Sequence, residues 1–192
     1  MLYIRHRINS ISDLKLVPYN MGIELDLRDK NNKLILQHDP FKDGELFEDL
    51  LKEYRHSIIV LNVKSEGIEE EILILLEKYN INNYFFLDLS FPSVIKLVKK
   101  KENKIAIRFS EFEPIEQALK LKNMVEWVWL DCFNELQLNH DSYTSLKKYF
   151  KICLVSPELQ NHPIEYIQKF KKITLGLNLD AICTKVPHLW ET

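Results

Sequence analysis

Glycine is scarce in this chain, four residues in 192, and that scarcity argues against the Gly-rich loops with which mononucleotide and dinucleotide folds cradle phosphates. Cysteine is nearly as rare. Cys132, Cys153 and Cys183 are odd in number, far apart and set in or beside apolar runs, a pattern that predicts buried reduced thiols rather than disulfides or a zinc site. No apolar stretch approaches the roughly 18 residues of a membrane span, and the N-terminus lacks a basic region followed by an apolar core of signal-peptide length. The expectation is a soluble, cytoplasmic protein with no membrane span. Net charge is −2 with both signs interspersed, so no broad basic face invites nucleic acid; Lys99-Lys100-Lys101 reads as a solvated helix end. Arginine is scarce as well, five of the 26 basic residues, which makes the positions of Arg7 and Arg28 informative. With 46% hydrophobic residues, the chain can bury one sizeable core and is read as a single domain, 1–192.

What the sequence does contain is concentrated in Gly22 to Pro40, GIELDLRDKNNKLILQHDP. From Ile23 to Arg28 apolar and charged residues alternate strictly, the period of a strand with one apolar and one charged face. Glu24, Asp26 and Arg28 therefore point the same way. Three charges in a row on an internal strand are costly unless compensated, and a bound cation with a phosphate would compensate them. The residues from Asp29 to Lys33 read as a polar turn, and Leu34-Ile35-Leu36 resumes an extended run that delivers His38 and Asp39 to its end. The plain alternative is an edge strand with a solvated face and an ordinary hairpin.

Upstream, Leu2-Tyr3-Ile4 reads as a short strand ending in His6-Arg7; downstream, Ile58 to Val63 is an apolar strand ending in Lys64, with Asn62 on the same face as Lys64. Tyr84 to Leu89 is a further strand with Asp88 near its end. Strand-like runs follow at 104–109, 125–130, 152–155 and 181–183. Helical patterns separate them, at 13–17 (capped by Ser12), 44–54, 69–79, 93–101, 114–121, 142–149 and 163–171. Eight strands alternating with helices predict an α/β fold, a minimal (β/α)8 TIM barrel, since parallel strands need a crossover at every step. A typical barrel takes about 250 residues, so loops and helices must be short. A doubly wound sheet is the fallback.

The ordered set His6-Arg7, Glu24-x-Asp26, His38-Asp39-Pro40 and Lys64, each at the C-terminal end of a predicted strand, lies where parallel α/β folds build their sites. It resembles the glycerophosphodiester phosphodiesterase family within the phosphatidylinositol-phospholipase-C-like barrel phosphodiesterases. The run Leu179 to Pro187 is similar to that family's closing Asp-Gly-Ile-x-Thr-Asp-x-Pro strand, with Lys185 in place of the second Asp. The resemblance implies His6 and His38 as a general acid and base, and Arg7 and Lys64, with Arg28 near the phosphate or Asp26, as phosphate holders. It also implies Glu24 and Asp26 as ligands of a divalent metal, Mg²⁺ or Ca²⁺. The family's Glu-x-Lys appears here as Asn62-Val63-Lys64, so Asn62, or Asp88 as a substitute, would complete the metal shell. About twenty residues separate His38 from the next strand, too few for the family's insertion that helps recognise glycerol.

The implied activity is hydrolysis of a small soluble phosphodiester: glycerophosphodiester-like, a sugar phosphate or a nucleotide-linked metabolite. Two alternatives follow from the departures: a catalytically silent barrel that binds phosphorylated ligands, and a metal-independent phospholipase-like lyase in which Arg28 stands in for the cation. Trp127 and Trp129 share a strand face with Asp131 and read as helix-packing residues before they read as a stacking platform. His56, preceding a strand, reads as structural.

Overall fold

The computed structural model describes residues 1–191. The chain opens with β1 (Leu2–Arg5) and α1 (Ile11–Leu14), then β2 (Gly22–Lys30), β3 (Lys33–Leu36), β4 (Glu45–Leu46) and α2 (Phe47–Glu53). Next come β5 (Ile59–Val63), α3 (Glu69–Lys78), β6 (Tyr84–Leu87), α4 (Phe91–Lys99), β7 (Ala106–Phe109) and α5 (Ile115–Lys120). The last elements are β8 (Trp127–Leu130), α6 (His140–Lys147), β9 (Lys151–Val155), α7 (Tyr166–Ile173) and β10 (Ala181–Thr184). Removing the hairpin strands β3 and β4 leaves the strand and helix alternation of a (β/α)8 barrel, as the periodicity predicts.

By contact density the chain divides into two compact units, residues 5–100 and residues 1–4 with 101–192. In the second unit β10, β9, β8 and β7 are parallel neighbours in that order, and Leu2 N–H donates to the Asp180 carbonyl beside β10. The three cysteines are buried here and unbridged, and burial pushes the Cys132 thiol up to about 12, which makes it unreactive. Trp127 and Trp129 are buried too, in keeping with a packing role. Among the described residues no helix is long and apolar enough to cross a membrane.

The unit of residues 5–100 is built on β2, antiparallel to β3 and parallel to β5, which pairs in turn with β6. Ile23, Leu25 and Leu27 are fully buried on one face of β2, each burial contributing about 1.5–3 kcal/mol. The turn between β2 and β3 places Asn31 and Asn32 at φ 51° and 57°, the paired left-handed geometry of a two-residue hairpin that asparagine tolerates. At Gly44 a Cβ would lie 2.2 Å from the Leu36 carbonyl oxygen, so only glycine lets the loop bearing His38 return against β3. The first helix begins two residues earlier than its pattern predicts, because Ser10 rather than Ser12 accepts from Asp13 N–H at 3.0 Å and so supplies the cap. His56 is buried with its Nε2 2.9 Å from the Val17 carbonyl oxygen, a structural contact.

Candidate active site

On the other face of β2 the alternation that buries three aliphatic residues also buries Glu24 and Asp26, each 1% exposed. Parallel pairing sets Asp26 beside Asn62 of β5, and the Asn62 amide donates from Nδ2 to Glu24 Oε1 at 2.9 Å. The other oxygen of Glu24 accepts from the Arg7 backbone N–H at 2.7 Å and lies 3.7 Å from His6 Nε2. That backbone donor is aimed by Arg7 in the left-handed region at φ 57°, a strained conformation for a residue with a Cβ.

Asp26 is surrounded by donors: Arg7 Nε at 3.6 Å and Lys64 Nζ at 3.7 Å. Asn9 closes a reciprocal pair with it. The Asn9 amide donates from Nδ2 to Asp26 Oδ2 at 2.8 Å, while Asn9 Oδ1 accepts from the Asp26 backbone N–H at 2.8 Å. Nothing in the sequence singles out Asn9. No periodicity signal marks it, since the turn at Arg7 is what brings it to Asp26.

Two buried carboxylates two residues apart on the same strand face cannot both ionise at no cost. Burial, and then the Asp26 charge, raise the Glu24 carboxyl to about 7. Such a pair calls for a compensating cation. A further oxygen is at hand: Asn62 Oδ1 is buried without a hydrogen-bond partner. Among the described residues no group of three or more His, Cys, Asp and Glu side chains is gathered into a metal site; the carboxylate pair and this amide oxygen are hard oxygen donors of the kind that could hold a divalent cation. Asp88 follows β6 at φ 58°, and its carboxylate takes the Lys64 ammonium at 3.2 Å, so Lys64 contacts both Asp26 and Asp88.

His38 sits on the loop after β3. Its Nδ1 is 2.8 Å from Asp39 Oδ1, and Lys42 donates to Asp39 Oδ2 at 2.7 Å. Lys42 and the His38 ring hold the Asp39 carboxyl down at about 2, so Asp39 is an acceptor only and His38 carries its neutral-ring proton on Nδ1. Nε2 is then the atom left for proton exchange.

Arg28 does not take Asp26, one of the two groups considered for it. Its guanidinium donates to the His38 carbonyl oxygen from Nε at 3.1 Å and Nη2 at 2.9 Å, and to the Lys64 carbonyl oxygen from Nη1 at 2.9 Å. It ties the loop bearing His38 to the strand end bearing Lys64. Arg28→Ala is therefore expected to cost about 2–3 kcal/mol, given the worth of hydrogen bonds to charged groups, and to lower Tm by about 5–10 °C in a chain of this size. A calorimetric scan checks this; an unchanged Tm with only a raised KM would place the guanidinium on substrate instead.

No family model matches the chain, and no curated protein matches it. Solved structures do. A protein assigned as a glycerophosphoryl diester phosphodiesterase from Agrobacterium tumefaciens aligns with a TM-score of 0.70 at 13% identity, covering 98% of this chain and 94% of its own. A glycerophosphodiester phosphodiesterase from the same organism aligns at 0.68 and 12% identity, with 99% of each chain covered. A mutant tryptophan synthase α-subunit from Pyrococcus furiosus follows at 0.61 and 17% identity, covering 95% of this chain and 86% of its own. At such identities the likeness establishes the fold: a small (β/α)8 barrel of the kind found in the glycerophosphodiester phosphodiesterases.

Proposed function

We propose that this chain is a divalent-metal-dependent phosphodiesterase acting on a small soluble diester of the glycerophosphodiester, sugar-phosphate or nucleotide-linked kind. The observation that carries the reading is the buried Glu24–Asp26 pair, flanked within 4 Å by His6, Arg7 and Lys64. Two carboxylates side by side on one buried strand face repel each other, a cost that stability alone gives no reason to keep. The structural likeness to glycerophosphodiester phosphodiesterases supports the same reading.

Glu24, Asp26 and the Asn62 amide oxygen would hold the cation, which supplies charge neutralisation at the phosphoryl oxygens and acidifies a bound hydroxyl. Arg7, 44% exposed at its side chain, extends past Asp26 and can meet a non-bridging phosphate oxygen with a planar fork. Lys64 offers a second, point-like positive charge. His6 and His38 divide the proton work: one accepts the proton of the attacking hydroxyl while the other donates to the departing oxygen, tasks for which imidazole is the side chain chemically suited. Asp39 fixes the His38 tautomer for its part.

Hydrolysis of bis(p-nitrophenyl) phosphate is expected to disappear on exhaustive chelation with EDTA and to return with added Mg²⁺ or Ca²⁺. Full activity in the chelated protein would overturn the metal requirement. Metal binding by calorimetry without turnover of any diester would instead favour a barrel that binds phosphorylated ligands.

A further inference from the structure

Each oxygen of the carboxylate pair has a distinct set of neighbours. Glu24 Oε1 accepts from the Asn62 amide and Oε2 from the Arg7 backbone N–H. Asp26 Oδ2 accepts from the Asn9 amide at 2.8 Å and has Arg7 Nε at 3.6 Å, whereas Oδ1 faces the Lys64 ammonium at 3.7 Å. Asn9 is itself fixed, because the same side chain accepts the Asp26 backbone N–H at 2.8 Å. With both of its polar atoms engaged on one residue, Asn9 sets the rotation of the Asp26 carboxylate about its χ2 axis.

We propose that Asn9 is a positioning residue which presents Asp26 to the cation through Oδ1 alone, and that this one-oxygen presentation makes the site prefer Mg²⁺ to Ca²⁺. The proposal rests on the metal-dependent reading of the site and adds the identity of the metal. Ca²⁺ takes six to eight oxygens in flexible geometry and readily accepts both oxygens of one carboxylate. Mg²⁺ demands six in a near-octahedral arrangement, binds carboxylates through single oxygens and keeps several waters. Asp26, with Oδ2 held by the Asn9 amide, is turned so that Oδ1 meets the cation as a single-oxygen ligand, the mode that suits Mg²⁺. The neutral amide of Asn62 brings no further charge, and charge count is what raises Ca²⁺ affinity.

Calorimetric titration of the metal-stripped protein with Mg²⁺ and with Ca²⁺ tests this without any assay of activity. The wild type is expected to bind Mg²⁺ more tightly than Ca²⁺. In Asn9→Ala the Mg²⁺ affinity is expected to fall about 10- to 100-fold, the usual effect of losing a partner of a metal ligand, while Ca²⁺ affinity falls at least about fivefold less, so that the preference shrinks or reverses. In an Asp26→Ala background the Asn9 substitution is expected to change neither affinity further, since Asn9 acts through Asp26. Asn9→Ser, which keeps a small polar residue but cannot span both bonds, replaces Asn9→Ala should that variant not fold. Equal losses for the two metals, an unchanged preference, or an undiminished effect without Asp26 would each overturn the role of Asn9 while leaving the phosphodiesterase reading intact. A wild type that binds neither metal would overturn both.

Discussion

Replacement of His6 by alanine is expected to lower kcat for a diester substrate by about 10²- to 10⁴-fold, the span of a general acid or base contribution, with fold and metal affinity retained. His6 lies with its Nε2 3.7 Å from Glu24 Oε2, and it follows β1 directly, so its backbone is set by a strand end. Replacement of His38 should produce a loss in the same range. The double variant should be far less impaired than the product of the two, because an acid and a base in one reaction act as a unit. Steady-state kinetics with circular dichroism on each variant provides the check. A loss under fivefold for either histidine would remove it from the proton-transfer pair, and His38 is the more exposed of the two, with 41% of its side chain open. Asp39→Asn would then be informative, since it leaves an amide that can donate to Nδ1 and so permits the wrong tautomer.

Glu24→Gln is expected to separate stability from function in opposite directions. In the fold the Glu24 carboxyl keeps its proton up to about 7, whereas the ordinary value is 4.5. Between those pH values the unfolded chain has released the proton and the folded chain has not. The folded state then binds more protons, and metal-free stability falls as pH rises through this window and levels off above it. Glutamine is neutral at every pH and of the same shape. Its amide can donate to Asn62 Oδ1, which has no partner in the wild type, if the Asn62 amide turns over. Metal-free Glu24→Gln should therefore be flat through the window and more stable than wild type above pH 7, by thermal melts at fixed ionic strength. Its affinity for Mg²⁺ should fall at least about tenfold, because a charged oxygen ligand is gone. A wild-type melt that does not change between pH 4.5 and 7 would refute the buried-proton account. Metal binding equal to wild type in Glu24→Gln would place the cation elsewhere.

Much of the site is legible in the sequence because it is built on a strand. Strict alternation from Ile23 to Arg28 sends Glu24 and Asp26 to one face whatever else the chain does, and the structure buries both. The same period places Asn62 and Lys64 together on β5, and pairing brings them beside Glu24 and Asp26. What alternation cannot supply is the partner at the far end of a side chain. Arg28 shares the face of the carboxylates, yet the hairpin of β2 and β3 returns the His38 carbonyl within its reach, and the guanidinium takes backbone oxygens instead of charge. Asp88 lies at the correct strand end, but its left-handed backbone turns it onto Lys64. Asn9 carried no signal at all. The division into two compact units is equally unannounced by composition, which shows no linker between Lys100 and Glu102.

By itself the sequence determined the alternation of the eight barrel strands with their helices, the shared face of Glu24 and Asp26, and the burial of the three cysteines, since all of these follow from period, length and hydrophobicity over a few neighbouring residues. Only the tertiary structure decided which partner meets each oxygen of the two carboxylates. Those choices rest on contacts between residues 17 to 38 positions apart. They depend on strand register and on two left-handed turns at Arg7 and Asp88, geometry that is settled by packing and that no local pattern of residues encodes.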